Sequence, residues 1–218
     1  MAISSRQFPQ THVLFIEHLK DAAVTADRFT GAWAPVNSND FVLFASHGEH
    51  PNSTDGGLGC PCRDYPWGPR LGCWRDPACS QAYDITWHTD AEFGYAGWGY
   101  LKWAQWFACA TLFRSDPLGY YSDMFEGLHA LMGFRSLLPE PQNASEAQLL
   151  SEAFWMYWKD FGFSLAYAWA YSINWVYMTR QQIDGIAPAV LGSTQGYAYE
   201  TWASAGDEAA PDGASYYT

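Results

Sequence analysis

The 218-residue chain is long enough to bury a full core in one decorated domain, and 49 % of it is hydrophobic. Eleven Lys and Arg stand against 23 Asp and Glu, a formal charge of −12, which argues against a nucleic-acid backbone as partner. The opening MAISSRQFPQ lacks the apolar stretch of a secretory signal, so a soluble, cytoplasmic protein with no membrane partner is expected; composition sets no oligomeric state.

In chain order, His12 to Ile16 (HVLFI) is a candidate first strand, and Leu19 to Phe29 carries apolar residues at helical spacing. A turn-rich connector, Gly31 to Asp40, leads into Phe41 to Gly48 (FVLFASHG), an apolar run of strand length that ends in His47-Gly48. This β–α–β opening implies a parallel sheet with a right-handed crossover. Residues 50–97 change texture: they are rich in Gly, Pro, Asp, Trp and Cys and show no sustained period. Trp67, Trp74 and Trp87 argue for an ordered insertion folded over the rim of the sheet. Leu101 to Leu112 (LKWAQWFACATL) is the second strand of the working pair, and its Ala108-Cys109 corresponds to His47-Gly48. Alternation puts Trp103, Phe107 and Cys109 on one face and Trp106 on the other.

Asp116 to Tyr121 reads as a turn, and Asp123 with Glu126 has capping-box character, so a brief helical turn is expected next. Gly127 to Ser136 reads as a further buried strand, with Gly133 permitting close approach of a neighbour. Glu146 to Met178 predicts two helices, or one broken at Gly162. Phe161 to Met178 is 18 residues without a charge, yet Gly162, Ser164, Ser172 and Asn174 favour a buried helix over a membrane span. Ala187 to Gly192 is the expected last strand. After Arg180 come five carboxylates (Asp184, Glu200, Asp207, Glu208, Asp212) and no Lys or Arg, so 200–218 reads as an acidic, flexible tail.

Ligands in open parallel sheets sit outside the carboxyl ends of the strands, so His47 and Cys109 belong to one rim if their strands are neighbours. A thiol becomes a nucleophile as thiolate, and a nearby imidazole is the usual means of producing it. Backbone N–H groups at a strand-to-loop turn then stabilise the oxyanion formed on acyl attack. A buried structural cysteine is the competing explanation for Cys109.

An apolar strand ending in His-Gly, followed by another ending in Ala-Cys, resembles the caspase-like peptidases, the group containing caspases, legumains, gingipains and clostripain. It is also similar to an uncharacterised fungal and bacterial family predicted to share that fold. Cys109-Ala110-Thr111-Leu112 and Gly127 to Phe134 (GLHALMGF) carry the further likeness, over about residues 38–192. The resemblance implies an α/β domain with a mainly parallel sheet sandwiched by helices. It implies Cys109 as nucleophile, His47 as general base, and the backbone N–H groups of Gly48 and Cys109 as oxyanion hole. The long insertion departs from the family pattern, and the peptidase specificity pockets have no counterpart in the sequence.

Four of the five cysteines, Cys60, Cys62, Cys73 and Cys79, lie in the insertion. A structural zinc, two disulfides and free thiols all fit them, and C-x-C is not a common zinc spacing. No other cofactor is required, since G-x-G-x-x-G and the Walker pattern are both missing. Trp98, Trp103, His50 and His88 are candidate substrate-binding residues at the rim. His129, in the third strand, reads as structural. The 12 Trp fit either sheet–helix packing or a cage for an apolar ligand.

The sequence therefore predicts a thiol-dependent hydrolase or acyl transferase acting on a peptide or an apolar small molecule. One alternative is an enzyme of natural-product biosynthesis that performs a cyclisation or isomerisation in an aromatic pocket. The other is an inactive binding domain.

Overall fold

Four apolar runs of the chain become the five-residue strands of its main sheet. The computed structural model describes residues 29–31, 34–45, 48–49, 68–69, 91–94, 101–108, 111–113, 116–136, 144–180, 185–206 and 210–218. The expected strand at 12–16, most of the helix at 19–29 and nearly all of the insertion lie outside the described residues. Strand β1 is Phe41–Ala45, and two short segments, β2 (Gly48–Glu49) and β3 (Gly68–Pro69), pair antiparallel with each other. Strand β4 is Trp103–Phe107, and helix α1, Pro117–Tyr121, follows it. Asp116 caps α1 by accepting from the Gly119 N–H at 2.9 Å, and Pro117 supplies a preset φ at the first turn. The cap therefore falls on Asp116, and the stretch expected as a turn is helical.

Strand β5 is Ala130–Phe134. Helix α2, Ala144–Trp155, widens into a π-turn over Met156–Asp160 and stops at Gly162, whose φ of 69° is left-handed. Helix α3, Leu165–Ile173, continues as a π-turn over Asn174–Arg180. The break at Gly162 is thus where the sequence places it. Among the described residues no helix is long and apolar enough to cross a membrane. Strand β6 is Pro188–Gly192, α4 is Gln195–Ala198, and β7 is Tyr216–Tyr217.

The sheet has the order β1-β4-β5-β6-β7. Strand β1 runs parallel to β4, in register from Phe41↔Trp103 to Ala45↔Phe107, and β4 runs parallel to β5. The pairs β5–β6 and β6–β7 are antiparallel. The α/β class is as expected, but the sheet is mixed rather than mainly parallel. The reason lies in the two-helix excursion through α2 and α3, which returns the chain to the end it left. Arg135 N–H donates to the Ala187 carbonyl at 2.8 Å, and Ala187 N–H donates to Ser136 Oγ at 2.9 Å. Strand β6 therefore starts where β5 finishes and must run back along it.

Each face of the sheet carries its own core. Alternation sends Trp103, Phe107, Ala130, Met132, Phe134 and Val190 to one face, where Leu150, Phe154, Trp158, Leu165 and Trp169 of the helical layer cover them. Ala104, Trp106, Leu131, Ala189 and Leu191 go to the other, against Phe29, Val36, Phe93, Tyr121 and Phe125. The helix aromatics pack on the sheet in edge-to-face contacts, such as Phe134–Trp169 and Trp103–Trp158, each with ring centroids 5.1 Å apart. The Trp169 indole N–H donates to the Gly133 carbonyl at 3.0 Å, so its one polar atom is satisfied inside the core. For these residues, packing is the role of the aromatic set.

The acidic end departs from the expected tail. Glu200 is 7 % exposed and Ala210 4 %, and Tyr216–Tyr217 pairs with Leu191 and Gly192 as the fifth strand. Thr218 exchanges two backbone hydrogen bonds with Val190, at 2.9 and 3.0 Å. Buried residues of this segment, Glu200 and Ala210 among them, together with the Tyr216–Tyr217 pairing hold it against the sheet.

Candidate functional site

The sheet has two chemically distinct ends. At the carboxyl ends of the parallel strands, Ala45 of β1 lies opposite Phe107 of β4. In sequence, His47 stands two residues beyond Ala45, and Cys109 two beyond Phe107. Both side chains lie outside the described residues, as do His50, His88, Trp98 and the cysteines Cys60, Cys62, Cys73 and Cys79. Gly48, the other oxyanion candidate, opens β2 opposite Pro69.

The chain on either side of the Cys109 position is held by buried polar groups. Ala108 and Thr111 are 1 % and 0 % exposed. Thr111 Oγ1 donates to the Ala108 carbonyl at 3.4 Å and accepts the Phe134 N–H at 3.4 Å. The Tyr121 hydroxyl donates to the Thr111 carbonyl at 2.6 Å, and Leu112 N–H donates to the Phe134 carbonyl at 2.9 Å. The Tyr217 hydroxyl donates to the Leu112 carbonyl at 2.8 Å, and burial raises its pKa while Arg135 works against that rise. Gly133 makes the approach feasible, because a Cβ there would stand 2.7 Å from Thr111 Oγ1 and 2.9 Å from Leu112 Cγ. This is the close approach that the glycine in the third strand predicts.

The amino end of the sheet holds a buried polar cluster. His129, immediately before β5, is fully buried, and its Nδ1 lies 3.1 and 3.2 Å from the two Glu200 carboxylate oxygens. The Trp103 indole N–H donates to Glu200 Oε1, and the Trp158 indole N–H donates to the Glu200 backbone carbonyl at 3.3 Å. The Tyr197 ring lies 4.3 Å from the His129 ring, and Trp103 meets it edge-on at 5.6 Å. The Glu200 carboxylate thus meets the starts of β4 and β5, and its backbone carbonyl meets the helical layer, where Leu165 N–H also donates to it at 2.8 Å.

Trp103 is therefore not brought to the rim that the sequence assigns it. It begins β4, four residues before Phe107, or roughly 13 Å along the strand at about 3.3 Å per residue. Its indole N–H is engaged by Glu200, and its ring is wedged between Trp158 and His129. His129 is buried in contact with Glu200, a partner hidden in the sequence because 71 residues separate the two. The available signal was the imidazole itself, since a histidine leading into a buried strand requires a polar partner. Thr111 was likewise detectable as a hydroxyl at the end of an apolar strand. Comparison of the chain with family models, curated proteins and solved structures finds no match.

Proposed function

We propose that the chain is a caspase-like thiol hydrolase or acyl transferase in which Cys109 and His47 act together at the carboxyl rim of the sheet. The observation that supports this reading is the parallel, in-register pairing of β1 with β4, which ends at Ala45 opposite Phe107. Parallel neighbours lie about 4.8 Å apart, and the two chemistry-bearing residues follow those ends at the same offset. A different register, or an intervening strand, would have removed that support.

In this reading His47 takes the thiol proton, and the Cys109 sulfur attacks the acyl carbon. The carbonyl electron pair moves onto oxygen, where the backbone N–H groups of Gly48 and Cys109 stabilise it. Collapse of the tetrahedral adduct breaks the bond to the leaving amine or alkoxide, which receives the proton from His47. Water then attacks the thioester in a hydrolase, or a second nucleophile does so in a transferase, and the thiol is regenerated. A peptide or an apolar acyl compound is the substrate class, and the reaction needs no cofactor.

The test is alkylation of the native protein by iodoacetamide at neutral pH, read at each cysteine by peptide mapping. Cys109 is expected to react as a thiolate, and His47→Ala to slow it by about tenfold or more. A Cys109 that stays unmodified in the folded protein, or that ignores loss of His47, overturns the reading.

A further inference from the structure

We infer that the outer face of α3 docks a second copy of this chain, in a two-fold contact centred on Tyr167, Tyr171 and Phe161. This contact is independent of the chemistry assigned to Cys109. Helix α3, LAYAWAYSI, has no charged residue, and none occurs from Phe161 to Met178. A helix built so nearly of apolar and aromatic residues is normally covered on every side. Here one side is covered and the other is bare. Leu165, Ala168, Trp169 and Ile173 are buried against the sheet layer, while Tyr167 and Tyr171 stand 57 % and 51 % exposed. Half-buried Ala170 and exposed Asn174 complete the outward stripe at helical spacing.

The rings of this face hold one another in place. Phe161, 59 % exposed at the turn before α3, lies 5.8 Å from Tyr157 and 6.4 Å from Phe163. Phe163 stacks on Tyr157 at 5.4 Å and meets Tyr171 edge-on at 5.2 Å, and Tyr167 meets Tyr199 at 5.5 Å. Little side-chain freedom is therefore left to lose on docking, and an aromatic centre depleted of charge is the composition of protein–protein contacts.

Charge and area single out a copy of the same chain as the occupant. Two chains of −12 repel each other wherever acidic surfaces meet, and a charge-free face is where that repulsion is weakest. Its border beside Phe161 carries Lys159 and Asp160, whose charges cancel. The three exposed rings offer roughly 250–400 Å². That is the size of the largest apolar patch a monomer usually leaves bare, and up to half of the about 800 Å² that each partner of a stable interface buries. Ala170, small beside two tyrosines, makes the face self-complementary, since across a two-fold axis a ring of one copy meets the alanine of the other.

The test is sedimentation equilibrium of the full chain over a concentration series, with Tyr167→Lys and Tyr171→Lys alongside. It is run in about 0.1 M and about 1 M NaCl, where the screening length is about 10 and about 3 Å. The wild type is expected to pass from monomer to dimer mass, at lower concentration in the higher salt because screening removes the repulsion between like-charged copies. Each lysine makes the chain less acidic and so weakens general repulsion, yet it should raise the dissociation constant by on the order of tenfold or more. Circular dichroism establishes folding. Tyr171 also packs on Tyr157 and Phe163, so Tyr167→Lys carries the test if Tyr171→Lys does not fold. A wild-type chain that stays monomeric up to about 100 μM in both salts overturns the inference and leaves the face to a different partner. So does a dimer that the folded variants keep at wild-type strength, which places its contact elsewhere, or one that high salt dissociates, which rests on ion pairs.

Discussion

At Glu200 a single carboxylate accepts the Trp103 indole N–H and faces His129 Nδ1, while its residue is 7 % exposed. Removing a buried acceptor leaves the Trp103 indole N–H unsatisfied, which costs about 1–3 kcal/mol. Glu200→Ala is therefore expected to lower unfolding free energy by about 2 kcal/mol in urea, with Glu200→Gln less damaging because it keeps an acceptor. A cost no larger than that of a surface substitution would contradict the assigned role. Glu126 shows the opposite sign. Burial holds its carboxyl above the usual range, and Asp212, Glu92 and Asp123 push it further the same way. A raised carboxyl favours the folded state when protonated, and that benefit is lost as pH rises through its folded value. Glu126→Gln should thus raise the urea midpoint at neutral pH, and the gain should vanish below the ordinary carboxyl pKa of 4.5. A gain that persists in acid would contradict the electrostatic origin.

Elements were readable where a short apolar run had clear boundaries, and hidden where the deciding contact was distant. The runs around 41–45, 103–107, 130–134 and 188–192 all form strands, and Gly162 breaks the helical region as its composition suggests. Strand β7 is a Tyr-Tyr pair with no period of its own, and α1 depends on the Asp116 cap that a turn would show equally well. Two glycines separate the physical reasons for that residue type. Gly162 has a φ of 69° and nothing within 4 Å of a built Cβ, so Gly162→Ala should cost about 1 kcal/mol through backbone conformation alone. Gly133 has no positive φ but faces Thr111 and Leu112, so Gly133→Ala should cost more, about 1–3 kcal/mol, by overpacking. Equal costs in urea unfolding would contradict the distinction.

Over the whole molecule, the sheet separates two cores and two ends with different work. The amino end is closed by Glu200, His129 and three indole or phenol rings, whereas at the carboxyl end the Thr111 hydroxyl lies between the Ala108 carbonyl and the Phe134 N–H. Residue types and strand lengths made the ends of β1 and β4 legible in the sequence. The strand order and register that make β1 and β4 neighbours did not show there, because parallel partners are chosen by long-range packing over a stretch of more than 50 residues. Trp103 was misplaced for the same reason, since its face was predictable but its end of the strand carries a partner from the far C-terminal segment. Whether positions 47 and 109 are neighbours is open to a disulfide trap. A His47→Cys variant is oxidised mildly and its cross-links are mapped by mass spectrometry, since a bridge requires Cα atoms about 4.4–6.8 Å apart. A dominant link between positions 47 and 109 is expected; a folded protein in which Cys109 stays unlinked to position 47 would rule out a shared rim.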